Sequence, residues 1–376
     1  MRIAVNAQTL VKNQMEGLGW FSYETLKRIV IAHPEHEFTF IFGKGIDESF
    51  LFAENVKAIN IGPPFFRPIT WWFKYRFLFP QYVNRNKFDL YLSPDGWSSK
   101  RIKIKTVIVI HDINFVHFPQ FLKKSVRYYY TKFFPQWIKH ANQIATVSNY
   151  SKQDMVDSYQ TDPEKIDVLY NGASPIYKPV DQTIKDEIKS KYTNGKDYFI
   201  FVGALHPRKN VINLFKAFDQ FKVYDKNNIK LVIVGERYYW SKETNAVYQA
   251  LSFKDDIVFT GRLDQNILKD VLGSALALSY VSLFEGFGIP LVEAMNSGVP
   301  IITSNTTSMP EIAANAALIV NPYSVDEISR AMHTIAYDEK LREKLIAAGN
   351  KRKLDFSWDK TAEHLWQTIE KVIGEK

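Results

Sequence analysis

LFEGFGIPLVEAMNSGVPIITSN, Leu283 to Asn305, holds the alternation that decides the fold. Pro290 suits the first turn of a helix, where a missing N–H costs little. The helix continues through LVEAMNS, and Gly298 ends it. PIITS (Pro300 to Ser304) then reads as a strand, and ALALSY (Ala275 to Tyr280), just upstream, as another. Two carboxylates sit on the connection. Glu285 precedes Gly286-Phe287-Gly288, whose glycines let backbone approach a ligand closely. Glu293 falls in or just past the first helical turn, where an acid is mildly favoured by the helix dipole alone.

The same rhythm extends in both directions. Upstream, YFIFVG (Tyr198 to Gly203), KLVIVG (Lys230 to Gly235) and IVFTG (Ile257 to Gly261) are strand-like, with helical stretches between them. In the first half, RIAVN (Arg2 to Asn6), FTFIFG (Phe38 to Gly43), TVIVIH (Thr106 to His111), QIATVS (Gln143 to Ser148) and KIDVLYNG (Lys165 to Gly172) repeat the pattern. ASPIYKPV (Ala173 to Val180) carries two prolines and no helical period, which predicts a linker. The expectation is an α/β protein with two doubly wound parallel-sheet, Rossmann-like domains, 1–175 and 176–356, facing a central cleft. The amphipathic end, 357–376, is expected to be a helix packing back toward the N-terminal domain.

Composition narrows the chemistry. The 376 residues contain no cysteine, which excludes disulfides, zinc-thiolate sites and thiol nucleophiles and favours a reducing, cytoplasmic setting. MRIAVNAQTL does not read as a secretion signal, and no apolar run is long enough to cross a bilayer. The net charge of +8 admits an anionic partner. From Asn55 to Phe88, and from Ile113 to Gln153, there is no acid. Both stretches mix lysine and arginine with aromatics, including Phe65, Phe66, Trp71, Trp72, Phe73, Tyr75, Phe77 and Phe79, and then Tyr128, Tyr129, Tyr130, Phe133, Phe134 and Trp137. Two readings stand side by side: core aromatics beneath a solvated basic face, or peripheral contact with an anionic membrane, such as the inner face of the cell membrane.

Three further elements carry candidate chemistry. VGALHPRKN (Val202 to Asn210) follows a strand and puts Arg208 and Lys209 at the start of the next helix. Cations there oppose the dipole, a conflict that a bound phosphate relieves. VIVIHDINFVHFP places His111 at the carboxyl end of a strand, where cleft residues sit. MEGLGWFSYETL offers Gly17 and Gly19 as a flexible loop before the first helix, without the G-x-G-x-x-G spacing of a dinucleotide site. No Asp-x-Asp triplet occurs, so no metal site for a sugar diphosphate is indicated, and no other cofactor is called for. No P-loop, nucleophile elbow or nucleic-acid module is found.

Together these residues resemble the retaining GT-B glycosyltransferases known as group 1 glycosyl transferases. Glu285 and Glu293 match that family's E-x7-E pattern within EGFGIPLVEAM, and GALHPRKN resembles its phosphate-binding turn. HDINFVHFP, ATVSNYSKQDM, TGRL, PIITSNTTSMPEIA and NPYS are similar as well, so the resemblance covers essentially the whole chain. It implies a nucleotide-diphosphate sugar donor and a glycan or lipid-linked acceptor, with no nucleic acid. It also implies roles. Lys209 and Arg208 neutralise the departing diphosphate. Glu285 holds the donor-sugar hydroxyls, with Gly286, Phe287 and Gly288 supplying backbone. Glu293 accepts from the ribose, and His111 lies near the transferring sugar. Gly17 and Gly19 approach phosphates or acceptor, and Gly261 and Arg262 flank the base. Ala204 departs from the family, many of whose members have arginine directly after the strand glycine. The motif versions point toward GDP-mannose, with UDP- and dTDP-sugars as alternatives. The rival readings are a nucleotide-sugar epimerase on the same fold, and a basic membrane- or nucleic-acid-binding protein with a degenerate site.

Overall fold

The strands of a fully covered parallel sheet are buried on both faces, so they read as continuous apolar runs rather than alternating ones. The computed structural model of the chain, which describes residues 1–12, 15, 17–62 and 68–374, follows that rule. It divides into two compact units: Met1–Gly172 together with Ser357–Lys376, and Ala173–Phe356.

The first unit holds a seven-stranded parallel sheet: β1 (Arg2–Asn6), β2 (Glu37–Phe42), β3 (Val56–Asn60), β4 (Leu90–Ser93), β5 (Lys105–Ile110), β6 (Gln143–Thr146) and β7 (Ile166–Val168). Their spatial order is β3-β2-β1-β4-β5-β6-β7. The order reverses between β1 and β4, which opens a crevice at the carboxyl ends of those two strands. The second unit repeats the plan in six parallel strands: β8 (Tyr198–Val202), β9 (Lys230–Val234), β10 (Ile257–Gly261), β11 (Ala277–Tyr280), β12 (Ile301–Ser304) and β13 (Ala317–Val320). They lie in the order β10-β9-β8-β11-β12-β13, so the reversal falls between β8 and β11. Both units are Rossmann-like and doubly wound, as the sequence predicted.

Three strands are absent from the reading of the sequence. β3 lies at a sheet edge, with only its first residue buried, so VKAIN carries no continuous apolar run. β13 is likewise an edge strand, with Leu318 and Ile319 incompletely buried, and β4 is the short LYLS, buried throughout.

The last helix, Trp358–Gly374, packs on the helix Gly17–Ala32 and on β5 of the first unit. Lys105 Nζ donates to the carbonyl of Val372 at 2.7 Å, satisfying a terminal helical acceptor. Gly172 lies so close that an added Cβ would stand 2.3 Å from the backbone nitrogen of Trp358.

The stretch Ala173–Val180 is not a free linker. It belongs to the second unit, with Tyr177 3% exposed and Val180 packed against Gly273. Of the aromatics named in the two basic stretches, Tyr75, Phe79, Tyr129, Phe134 and Trp137 are buried, and Trp71, Trp72, Tyr130 and Phe133 pack partly buried against the core. Phe73, Phe77 and Tyr128 remain exposed, while Phe65, Phe66 and Arg67 lie outside the described residues. Among the described residues no helix is long and apolar enough to cross a membrane.

Candidate active site

The site of the second unit is built where its strand order reverses. β8 ends at Val202, and the chain reaches a short 3-10 turn, Pro207–Lys209, before the helix Val211–Lys222. Arg208 and Lys209 therefore sit just ahead of the helix, in the turn that leads into it. Asn210 joins the two elements. It adopts a left-handed φ of 61°, which asparagine tolerates better than most residues. Its buried side chain donates to the carbonyls of Val281 at 3.0 Å and Pro322 at 2.7 Å, fixing the turn against the loops after β11 and β13.

That loop carries Glu285, which is 6% exposed. Its Oε2 accepts from Arg208 Nη1 at 2.7 Å. Its Oε1 accepts from Lys209 Nζ at 2.5 Å and from the Tyr280 hydroxyl at 3.0 Å. Lys209 also donates to the Tyr280 hydroxyl and lies 4.7 Å over its ring. Arg208 Nη1 reaches the Phe284 carbonyl at 3.0 Å. Burial opposes ionisation of Glu285, but Arg208 and Lys209 outweigh it and hold the carboxyl at about 2. One anion and two cations thus form a single buried cluster of charge-assisted bonds. His206, next to it, is pushed down to about 4 by burial and by Arg208 and Lys209, so it is neutral near pH 7. Its Nδ1 accepts from the Arg208 amide at 3.3 Å, capping the turn.

Gly286, Phe287 and Gly288 are buried, and the Phe287 ring meets Phe356 edge-on at 5.6 Å. Ser308 Oγ holds the loop by donating to the carbonyls of Glu285 at 2.9 Å and Phe287 at 3.1 Å. Gly288 has φ 99°, a backbone conformation that strains any side chain, and a Cβ there would stand 2.5 Å from the Met309 methyl and displace it. The helix Ile289–Asn296 follows, and Glu293 sits one turn in. Glu293 is raised to about 7 by burial, while a hydrogen bond from the Tyr177 hydroxyl works the other way. Gly261 closes β10 with φ 70°, and Arg262 beyond it is exposed. β10 is the edge strand, two removed from β8.

In the first unit, His111 follows β5 and places Nε2 2.9 Å from the Pro94 carbonyl, with Phe21 edge-on at 4.6 Å. Burial lowers its pKa, so the ring is neutral, and Nε2–H donates to that carbonyl. Gly17 and Gly19 do not form a loop. They begin the helix Gly17–Ala32, where Gly19 is buried and a Cβ would stand 2.9 Å from the Thr9 carbonyl.

Comparison with known proteins bears on what such a cluster does. Residues 182–352 match the family model "Glycosyl transferases group 1", and residues 31–175 match "Glycosyltransferase Family 4". The chain belongs to the glycosyltransferases. It is 27% identical over 363 residues to O-antigen chain mannosyltransferase B of Escherichia coli, covering 93% of this chain and 94% of that protein. It is 33% identical over 215 residues to O-antigen chain mannosyltransferase RfbU of Salmonella typhimurium, covering 57% and 56%. Its fold matches sucrose-phosphate synthase from Thermosynechococcus elongatus with a TM-score of 0.81, 16% identity and full coverage of both chains.

Of the residues singled out in the sequence of this glycosyltransferase, the fold joins Arg208, Lys209 and Glu285 directly. The loop Gly286–Gly288 links Glu285 to the helix that carries Glu293. His111, Gly17 and Gly19 belong to the other unit. Tyr280, Asn210, His206 and Tyr177 were missed. Tyr280 lay in view as the last residue of an apolar strand. Tyr177 gave no signal, because its stretch reads as a linker.

Proposed function

We propose that this glycosyltransferase moves a hexose from a nucleoside diphosphate sugar to a glycan or lipid-linked acceptor, with retention of configuration, in polysaccharide or glycolipid synthesis. The observation that carries the reading is Glu285 gripped by Arg208 and Lys209 at the strand-order reversal. A donor diphosphate competes with Glu285 for the two cations. Once transferred to the phosphates, they stabilise the charge that develops on the leaving group. The released carboxylate then accepts hydrogen bonds from hydroxyls of the transferred sugar. Glu293 takes the ribose hydroxyls.

The reaction breaks the bond from the anomeric carbon to phosphate oxygen and forms one to the acceptor oxygen on the same face. The leaving phosphate takes the acceptor proton. Neither glutamate acts as a paired glycosidase acid. Arg208 and Lys209 offer the departing diphosphate two positive charges, and the lack of an Asp-x-Asp triplet supports a metal-independent site. GDP-mannose is the donor favoured, and the mannosyltransferase names of the two relatives support it. Exposed Phe73, Phe77 and Tyr128, in stretches without acids, support peripheral contact with an anionic membrane at its cytoplasmic face.

The test is a panel of GDP-, UDP- and dTDP-sugars, each scored for thermal stabilisation and for slow release of nucleoside diphosphate. GDP-mannose is expected to stabilise the protein most and to be hydrolysed. No response to any sugar nucleotide would refute the reading.

A further inference from the structure

In the first unit the helix Gly17–Ala32 hands over to β2 through His33-Pro34-Glu35-His36, at the amino end of that strand. Three of these four residues carry side chains that ligate metal ions, and the three converge. His33 Nδ1 lies 3.5 Å from Glu35 Oε1, and His36 Nε2 lies 3.3 Å from the same oxygen. Among the described residues this is the one group of three histidine or carboxylate side chains whose ligand atoms all lie within 4.8 Å of one another. The separations are long for hydrogen bonds between charged groups, which close to about 2.7–2.9 Å. They match the edge of a tetrahedron: donors held roughly 2.0–2.2 Å from a zinc ion stand roughly 3.3–3.6 Å apart.

The surroundings fix the loop and both rings. Asn55 Nδ2 donates to the carbonyls of Val30 at 3.1 Å and of His33 and His36 at 3.0 Å each, gathering the loop backbone around one amide. The Glu37 amide donates to the Met1 carbonyl at 2.8 Å, tying the loop to the start of β1. Trp366 of the last helix forms a wall behind the imidazoles. His33 stacks on it at 3.7 Å and His36 at 5.2 Å, and the two imidazole planes lie within 7° of parallel. His36 Nδ1 is 3.2 Å from the Met1 amino nitrogen, which leaves Nε2 facing Glu35. A ligating histidine needs this kind of hold on its far side. Glu37 is engaged elsewhere, with Arg2 and Lys57. The Glu35 side chain is 58% exposed, so the fourth side of the tetrahedron is open to water.

We infer that His33, Glu35 and His36 form a structural site for a divalent transition-metal ion of the zinc class, held by His33 Nδ1, His36 Nε2 and a Glu35 carboxylate oxygen. Two imidazoles and one carboxylate suit zinc, whereas magnesium and calcium take oxygen ligands. The ion locks two rings that rest on Trp366 and so braces the last helix against the loop. It has no part in sugar transfer, because it sits at the amino ends of the strands and the crevice opens at their carboxyl ends.

The test uses the full chain without a histidine tag, stripped with EDTA and dialysed. Zn²⁺ is titrated by isothermal calorimetry into wild type, His36→Gln and Glu35→Gln, and Co²⁺ is titrated with visible absorption as a report on tetrahedral coordination. One ion per chain is expected, with affinity at least tenfold weaker in each variant. Zn²⁺ is expected to raise the Tm of wild type and not that of the variants. Glu35→Gln alters an exposed side chain of the same shape, so it serves where His36→Gln does not fold. Absence of zinc binding by wild type, or zinc binding equally tight in Glu35→Gln, overturns the inference.

Discussion

Replacing Glu293 with glutamine removes a titration that the fold disfavours, and the consequence depends on pH. In the folded chain Glu293 is held at about 7 against an ordinary value of 4.5, because burial destabilises its charged form. Between these values the folded state binds more protons than the unfolded state, so stability falls as pH rises. The contribution is intact below about pH 4.5 and fully lost above about pH 7. At roughly 1.36 kcal/mol per pKa unit, the wild-type penalty reaches about 3 kcal/mol at pH 8 and stays below about 1 kcal/mol at pH 5. Glu293→Gln carries no such penalty. Relative to wild type, the variant should gain about 2 kcal/mol more at pH 8 than at pH 5. For a domain of this size that difference is roughly 4–8 °C in Tm. Urea or thermal melts of both proteins across pH 5 to 8, followed by circular dichroism, measure it directly. A difference between variant and wild type that does not change with pH would refute the assignment of a partly buried, proton-binding Glu293.

Other outcomes follow from the same geometry. Glu285→Gln leaves Arg208 and Lys209 without their anion and should lower stability by about 3 kcal/mol, read by urea melts, since breaking a buried ion pair strands charge. Transfer by that variant should be abolished as well; transfer at the wild-type rate would remove Glu285 from the site. Lys209→Ala should lower kcat by roughly 10²–10³ through lost leaving-group stabilisation, measured by nucleoside diphosphate release. EDTA should leave the wild-type rate unchanged. Co-sedimentation with phosphatidylglycerol vesicles at low salt should weaken when Phe73, Phe77 and Tyr128 are changed together to serine.

Legibility in the sequence follows the range of the physics. YFIFV, and the runs LVIV and VIVI that follow Lys230 and Thr106, are apolar because both faces of a parallel strand are covered, and this local signal was enough for the two-domain plan. VKAIN at an edge and the four-residue LYLS gave no such signal, although β4 is central to its sheet. The charged residues of PRKN and EGFGIPLVEAM were visible because each motif is contiguous. Their chemistry was only half visible. The sequence assigned the cations to phosphate and Glu285 to sugar as separate tasks, whereas the fold makes them one cluster.

By itself the sequence determined ten of the thirteen strands, their parallel arrangement and which short motifs carry charge, because propensity, apolar runs and glycine or proline punctuation act over a few residues. Only the tertiary structure decided which charges meet. It set Glu285 between Arg208 and Lys209 and put Tyr177 of an apparent linker against Glu293. Such pairings join residues remote in the chain through the crossing of strand ends. Protonation is set by the burial and neighbours that folding imposes, so no local pattern could contain it.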